Sequence, residues 1–321
     1  MNNKKLVEKE GRGGHWWWPS FLQNESFSEE IVFPKKGRVH MKVKHISIAV
    51  DPEQTGNPVF GAPANLTAYI LEPVEGITYK KRPAVLLCPG GGYHKLSGRE
   101  DQPIAMKYLA AGFHVFVLHY SLVPDVFPRA FMEIALAVSI VRKHADEWQV
   151  DPNRIIASGF SAGGHVACGL GTFWNKEWLY KPLSLTPEQI RPDGLLLCYP
   201  VITSGEYCHK GSFECLMGTE ASKKDAKLLR LLSLEYQVGP QVPKTFLWHT
   251  WTDQSVPVEN SLLLLQALRK AGVNVEAHLY PVGSHGIALG TEETQGIDQK
   301  YLEPYCESWI GLAIRWISEQ L

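Results

Sequence analysis

The chain has 321 residues, and its 32 lysine and arginine residues against 33 aspartate and glutamate residues leave a formal net charge of −1. This balance argues against an electrostatic nucleic-acid binder, which would carry a basic excess. Hydrophobic residues make up 45% of the chain and charged residues 20%, as in an ordinary globular protein with a sizeable core. No stretch approaches the roughly 20 consecutive apolar residues that span a membrane, and the polar N-terminus lacks the apolar core of a signal peptide. We therefore expect a cytoplasmic protein without a nucleic-acid or membrane partner.

The six cysteines are scattered without C-x-x-C spacing, a pattern that indicates neither a zinc site nor a redox motif. Several lie within apolar runs such as VLLCPG and LLLCYP, where cysteine packs as a small hydrophobic residue. We expect free thiols and no bound metal.

The secondary structure expected in chain order begins after an unusual N-terminus. Residues 1–40 are charged and then Trp-rich, and we treat them as an N-terminal extension to one domain that covers residues 41–321. Two strands, VKHISIAV and NLTAYIL, come first. Six further strands follow: PAVLLCPG, FHVFVLHYSL, NRIIASGF, DGLLLCYPV, KTFLWHTW and VNVEAHLYP. Helices alternate with them: DQPIAMKYLAAG, RAFMEIALAVSIVRKHADEW, AGGHVACGLGTF, VENSLLLLQALRKAG and, at the end, YCESWIGLAIRWISEQL. The less regular segment 203–242 is expected to be a small lid insertion.

Alternating short strands and helices predict an α/β fold, with a sheet that is parallel through most of its width and covered by helices on both faces. Ligands of such sheets bind at the carboxyl ends of the strands. Residues that carry chemistry should therefore follow a strand directly.

Ser161 meets this condition within RIIASGFSAGGHVACGL, where a strand ends at a glycine-flanked serine and a helix begins. A sharp strand-to-helix turn needs small residues at Gly159 and Gly163, and it places the serine near a helix N-terminus that favours developing negative charge. A G-x-S-x-G pattern nevertheless arises by chance in roughly one chain in ten of this length. The motif therefore needs partners elsewhere in the chain.

A serine hydroxyl needs a base to become a nucleophile, and the base needs a carboxylate to orient it. Asp253 follows the strand KTFLWHTW by a few residues, and His285 follows the next strand across a Pro-Val-Gly-Ser turn. Both should lie at the same sheet edge as Ser161. The order Ser, Asp, His is the one expected on this kind of sheet.

The chain offers rival histidines and aspartates for these roles. His165 lies one helical turn past the serine, where we expect it to pack near the turn or to donate a structural hydrogen bond. His249 lies within its strand, and His114 and His119 lie inside an apolar strand as core or strand-end residues. Asp193 precedes its strand and should occupy the opposite edge.

A tetrahedral intermediate also needs backbone N–H groups aimed at its oxyanion. The run LLCPGGGYH places Gly90, Gly91 and Gly92 directly after a strand, so the backbone can approach a substrate closely. The amides of Gly91 and Gly92, together with that of Ala162, are the candidate donors. A phosphate-binding loop does not fit, because neither G-x-x-x-x-G-K-[ST] nor G-x-G-x-x-G is present.

Taken together, PGGGY, GFSAGGH, HTWTDQSVPVENS and GSHGIAL resemble the α/β-hydrolase superfamily. More narrowly, they are similar to its esterase/lipase-like group, which includes carbohydrate acetylesterases and feruloyl-esterase-like proteins. The similarity covers roughly residues 65–321 and implies an α/β-hydrolase fold without a cofactor. The resemblance implies Ser161 as nucleophile, His285 as base, Asp253 as its orienting carboxylate, and an oxyanion hole made by Gly91, Gly92 and Ala162.

The chain departs from this group at two places. Pro89 stands before the glycine run, where related esterases often carry histidine; this should keep the backbone donors but changes the support of the loop. Residues 1–40, with Trp16, Trp17 and Trp18, match no part of the family core.

The substrate is less well defined by the sequence than the chemistry is. Tyr93 and Trp251 are candidate substrate-binding residues that could stack on sugar rings, or alternatively wall an apolar cleft or fill the core. We expect a serine hydrolase of short acyl esters, with a small-molecule substrate such as an acetylated xylan-derived oligosaccharide. A prolyl-oligopeptidase-type peptidase and a non-catalytic binding protein remain alternatives. Acyl-chain length, alcohol identity and oligomeric state, including a homo-oligomer, stay open.

Overall fold

A computed structural model describes residues 27–28, 41–73 and 81–321 of the chain. Most of the predicted N-terminal extension, including Trp16, Trp17 and Trp18, lies outside these described residues. So does part of the segment between the second and third predicted strands.

The described residues form one sheet of nine strands in the order β1-β2-β3-β5-β4-β6-β7-β8-β9. β1, β2 and β3 are antiparallel to their neighbours, and all pairs from β5 across to β9 are parallel. This is the mostly parallel α/β sheet that the sequence predicts. The strands are β1 (Phe27–Ser28), β2 (Met41–Ile48), β3 (Ala64–Leu71), β4 (Arg82–Cys88), β5 (His114–His119), β6 (Val150–Phe160), β7 (Gly194–Cys198), β8 (Thr245–Thr250) and β9 (Val275–Tyr280).

Eleven α-helices accompany the sheet in the described part of the chain. They are α1 (Pro52–Thr55), α2 (Gln102–Ala110), α3 (Arg129–Lys143), α4 (Ser161–Phe173), α5 (Glu177–Tyr180), α6 (Pro187–Ile190), α7 (Lys210–Met217), α8 (Thr219–Lys224), α9 (Ala226–Leu232), α10 (Glu259–Lys270) and α11 (Ser308–Gln320). Every long helix predicted from periodicity is present. The short helices α1, α5 and α6 are additions, since four residues are too few to show a helical period.

The strand side chains alternate between two hydrophobic clusters because successive residues of a strand face opposite sides of the sheet. In β4, Leu86 packs with one cluster, which contains residues from α3, α4 and α10. Its neighbour Leu87 packs with the other, which contains residues from α2 and α11. Both faces are therefore covered, and the central strands can be apolar throughout.

The segment predicted as a lid follows β7 and contains α7, α8 and α9. It leaves the sheet at the carboxyl end of β7, the edge at which β6 ends and α4 begins. Two helices of this segment are largely exposed, since α8 has no buried residue and α9 has one, whereas α7 buries Ser212, Phe213, Leu216 and Met217.

Candidate active site

Ser161 lies at the turn from strand to helix, because β6 ends at Phe160 and α4 begins at Ser161 itself. Its backbone has φ = +51°, a left-handed conformation that is uncommon for a residue other than glycine. The turn lies in the protein interior, since all thirteen residues of α4 are buried. The packed surroundings hold the serine in this conformation.

A side chain at either of the glycines that flank the serine, Gly159 or Gly163, would clash with backbone atoms. A Cβ atom on Gly159 would lie 2.1 Å from the backbone oxygen of Gly163, and a Cβ atom on Gly163 would lie 2.1 Å from that of Cys88. Both distances are far below van der Waals contact. The spacing of the motif therefore reflects close approach between β6, α4 and the end of β4.

Three side chains that are far apart in the sequence form a continuous hydrogen-bonded chain. His285 Nε2 lies 2.7 Å from Ser161 Oγ, and His285 Nδ1 lies 2.6 Å from Asp253 Oδ2. Because the carboxylate oxygen can only accept, Nδ1 carries the proton and Nε2 is left to accept from the serine hydroxyl. The structure thus brings together the three residues that the sequence singles out for nucleophilic chemistry.

Asp253 is buried and surrounded by donors. Its Oδ1 accepts hydrogen bonds from the backbone N–H groups of Ser255 and Val256, each at 2.9 Å. Burial alone would raise the pKa of this carboxyl, but the hydrogen bonds from His249 and His285 outweigh it and hold the pKa well below its usual range. The carboxylate is therefore ionised at neutral pH.

His249 is a partner of Asp253 that the sequence reasoning missed. Its Nε2 lies 3.3 Å from Asp253 Oδ2 and 2.9 Å from the carbonyl oxygen of Val256, so this nitrogen carries the proton. Its Nδ1 lies 2.7 Å from Ser261 Oγ. Residues 249 and 253 are separated by a turn, and only the folded turn brings the histidine against the carboxylate.

The glycine run after β4 lies beside the serine. The N–H of Gly90 donates to Glu100 Oε2 at 2.8 Å and is therefore occupied. Gly91 and Gly92 have φ values of +129° and +66°, and a Cβ atom on Gly91 would lie 2.1 Å from the backbone oxygen of Lys95. Within the described residues, no acceptor pairs with the amides of Gly91 and Gly92. These two N–H groups are thus free to meet a bound oxygen.

Glu100 connects the glycine run, through Tyr199, to the loop that carries His285. No motif in the sequence predicts this role for Glu100. Besides Gly90, the buried Glu100 carboxylate accepts a hydrogen bond from the Tyr199 hydroxyl at 2.7 Å. That hydroxyl in turn accepts from the N–H of Ala288 at 3.1 Å, three residues after His285. The Tyr199 ring also packs edge-on against His285, with ring centroids 5.1 Å apart.

The remaining histidine and aromatic candidates fall in different environments. His165 is fully buried, with Nδ1 2.8 Å from the Tyr93 hydroxyl and Nε2 2.8 Å from the carbonyl oxygen of Leu232. This is the packing role expected for it. Tyr93 is only 2% exposed, so its ring belongs to the core and offers little surface to a substrate. Trp251 is 58% exposed, two residues before Asp253.

The other rivals lie away from this hydrogen-bonded chain. His114 accepts from the N–H of Leu71, and its burial lowers the pKa of the imidazole to about 4. His119 pairs with Asp101, and Asp193 pairs with Arg142 beyond the opposite edge. None of them contacts Ser161.

The described part of the chain contains neither a cluster of metal-ligating side chains nor a membrane-spanning helix. No group of three or more His, Cys, Asp or Glu side chains there could hold a metal ion. No helix in that part of the chain is long and apolar enough to cross a membrane.

A mostly parallel sheet with Ser, Asp and His after β6, β8 and β9 defines the class of α/β-hydrolase folds, and solved structures agree. The chain matches the acetyl ester-xyloside bifunctional hydrolase of Caldicellulosiruptor lactoaceticus with a TM-score of 0.69 and 35% identity, over 84% of this chain and 91% of that chain. It matches a carboxylesterase of Lactobacillus plantarum with a TM-score of 0.74 and 33% identity, over 87% of this chain and 98% of that chain. A family model described as BD-FAE matches residues 74–268. The chain belongs to the BD-FAE family, and its matched domain is of the serine-esterase class.

Two curated relatives come from bacteria. The chain is 35% identical over 217 residues to endo-1,4-beta-xylanase B of Butyrivibrio fibrisolvens, covering 66% of this chain and 34% of that protein. It is 32% identical over 212 residues to the acetylxylan esterase of Xylanibacter ruminicola, covering 65% of this chain and 42% of that protein. The chain therefore spans less than half the length of either relative.

Proposed function

We propose that this protein hydrolyses short acyl esters, and in particular removes acetyl groups from xylan-derived or other small oligosaccharides. The observation that carries the proposal is the chain of hydrogen bonds from Ser161 through His285 to Asp253, with distances of 2.7 and 2.6 Å. The sugar substrate is supported by the relatives, since one is named an acetylxylan esterase and a structural neighbour an acetyl ester-xyloside hydrolase.

In the proposed reaction, His285 Nε2 takes the proton of the Ser161 hydroxyl while the serine oxygen attacks the ester carbonyl carbon. The carbonyl oxygen becomes an oxyanion that accepts hydrogen bonds from the amides of Gly91, Gly92 and Ala162. His285 then gives its proton to the leaving alcohol oxygen as the carbon–oxygen bond breaks. Water attacks the acyl-enzyme by the same steps and releases the carboxylic acid.

Asp253 keeps the proton on His285 Nδ1 and stabilises the imidazolium that forms. Its low pKa suits this role, because the carboxylate stays charged throughout the cycle. Glu100 occupies the amide of Gly90, which leaves the next two amides of the run for the oxyanion.

The test is the release of acetate from acetylated xylo-oligosaccharides and from phenyl acetate, with an aminoacyl-proline amide as a third substrate. We expect wild type to cleave both esters, and Ser161→Ala to lose at least about 10³-fold in kcat. Ser318→Ala, a change at an exposed serine on α11, is the matched control and should keep the wild-type rate.

Cleavage of the amide without the esters would replace this proposal by the peptidase alternative. Absence of turnover on all three substrates, with retained binding of the oligosaccharide, would favour a non-catalytic binding protein. An unchanged rate in Ser161→Ala would remove this serine as the nucleophile.

A further inference from the structure

His209 is a side chain of the lid segment that no step of the proposed reaction uses. It is the residue that precedes α7, and its Nδ1 accepts a hydrogen bond from the N–H of Ser212 at 3.3 Å. The buried Ser212 hydroxyl lies 2.8 Å from the same nitrogen. The imidazole therefore caps the first turn of α7 and has a fixed orientation.

This cap also fixes the proton on the ring. A backbone N–H can only donate, so Nδ1 must be the unprotonated nitrogen, and the neutral ring carries its proton on Nε2. Burial, followed by the nearby His285, lowers the pKa of His209 and keeps the ring neutral near pH 7. His209 thus presents one N–H donor, for which the described residues supply no acceptor.

The His209 ring lies beside the glycine run of the proposed reaction centre. His209 Cε1, the atom next to Nε2 in the ring, is 3.8 Å from the position that a Cβ atom on Gly92 would take. His94 flanks the same glycine, with Nδ1 at 3.0 Å from that position. His209 therefore lies close to the Gly92 end of the glycine run and near enough to His285 for the two imidazoles to influence each other electrostatically.

In acyl transfer, the carbonyl oxygen points at the oxyanion donors and the leaving alcohol lies next to the base that protonates it. A group that lies near both Gly92 and His285 is close to where the alcohol part of the ester must lie. An N–H donor in this position could form a hydrogen bond with an oxygen atom of the alcohol part, close to the ester bond that is cleaved.

We propose that His209 Nε2–H donates a hydrogen bond to a hydroxyl group adjacent to the ester on the alcohol part of the substrate, so that monoesters of vicinal diols are preferred. The inference rests on the proposed function and deepens it, because the substrate class becomes partly acylated polyols, including sugars. A substrate without that hydroxyl leaves the donor unpaired in a half-buried site, which costs affinity for its transition state.

The experiment compares two esters of nearly equal shape, 2-hydroxyethyl acetate and propyl acetate, which differ by a hydroxyl in place of a methyl group. The variant is His209→Asn, because asparagine can still cap α7 but does not carry the imidazole N–H. We expect the ratio of kcat/KM for the hydroxylated over the propyl ester to fall about tenfold relative to wild type. His45→Asn, the same change at an exposed histidine on β2, should leave this ratio as in wild type.

Circular dichroism and thermal unfolding of His209→Asn check that the lid stays folded. A ratio that does not change, or an equal loss on both esters, would overturn the assignment of His209 while leaving the proposed esterase standing. If wild type cleaves neither ester nor any acetylated sugar, the proposed function fails and this inference falls with it.

Discussion

At the scale of single residues, the site is defined by one strained serine and the glycines that make room for it. A left-handed φ on a residue other than glycine costs of order 1–3 kcal/mol, and Ser161 adopts it at the junction of β6 and α4. The two flanking glycines let backbone atoms approach to distances that a Cβ atom would occupy. The turn therefore depends on the absence of side chains at Gly159 and Gly163 as much as on the serine.

Gly163→Ala tests this steric argument. Its Cβ atom would lie 2.1 Å from the backbone oxygen of Cys88, which cannot move away as a side chain could. We expect a loss of about 1–3 kcal/mol in the free energy of unfolding by urea, and a large loss of activity on phenyl acetate. Gly311→Ala, in the exposed face of α11 with nothing within 4 Å, should be neutral or stabilise by up to about 1 kcal/mol. Equal effects at both glycines would contradict the close approach.

The sequence predicts Ser161, Asp253 and His285 as partners because each follows its own strand, and parallel strands end at one edge. Glu100, His249 and His209 are not predictable in this way. Their contacts depend on how separate segments of the chain meet in the fold, and neither an alternating pattern nor a motif spacing shows which segments will meet. For Tyr93 the sequence leaves a substrate contact and a core position open, and its ring, 2% exposed, fits the core position.

At the scale of elements, the loop before β3 and the start of α3 are joined by a buried cluster of charges. Arg129 lies within 2.6 Å of Asp125 and 3.0 Å of Glu133, and all three side chains are almost fully buried. Asp125 in turn accepts hydrogen bonds from the N–H groups of Phe60 and Gly61. Burial raises the pKa of Glu133 despite the arginine beside it. The cluster fixes where α3 begins.

Arg129→Met removes the single cation of this cluster and leaves two buried carboxyl groups. We expect a loss of about 3–5 kcal/mol in the free energy of unfolding at pH 8, because unpaired buried charges are costly. The loss should be smaller at pH 5 than at pH 8, because burial favours the neutral form of Glu133 and protonation becomes easier as the pH falls. Urea unfolding at both pH values measures this. Lys224→Met, in the exposed pair with Glu220, is the control and should change little.

At the scale of the whole molecule, most of the strands and long helices are predictable because each buries apolar residues on one of the two hydrophobic faces of the sheet. Short apolar runs and periodic helices survive in the structure with ends that shift by a few residues; β6, for example, begins at Val150. The order of strands in the sheet and the three short lid helices are not read from periodicity, since they depend on which surfaces meet. The helices α8 and α9 carry few buried residues, and their sequences show a correspondingly weak hydrophobic pattern.

The buried histidines make stability depend on pH. Burial lowers the pKa of His114 and of His165 to about 4, against 6.5 for an exposed histidine. Between these values the unfolded chain binds protons that the folded chain does not, so stability is full above pH 6.5 and falls as the pH is lowered towards 4. With two such groups, the slope reaches at most about 2.7 kcal/mol per pH unit. Urea unfolding at pH 7, 6 and 5 should show this decline, and a flat profile would mean that these histidines titrate normally.

Helix α4 should tolerate few substitutions, because every one of its thirteen residues is buried. A substitution there must be absorbed by the strands beneath it and by the helices beside it. Helix α8, without a buried residue, can accept nearly any change. Substitutions should therefore be tolerated readily in α8 and rarely in the turn that carries Ser161. The structure thus separates a surface that can change from a reaction centre that cannot.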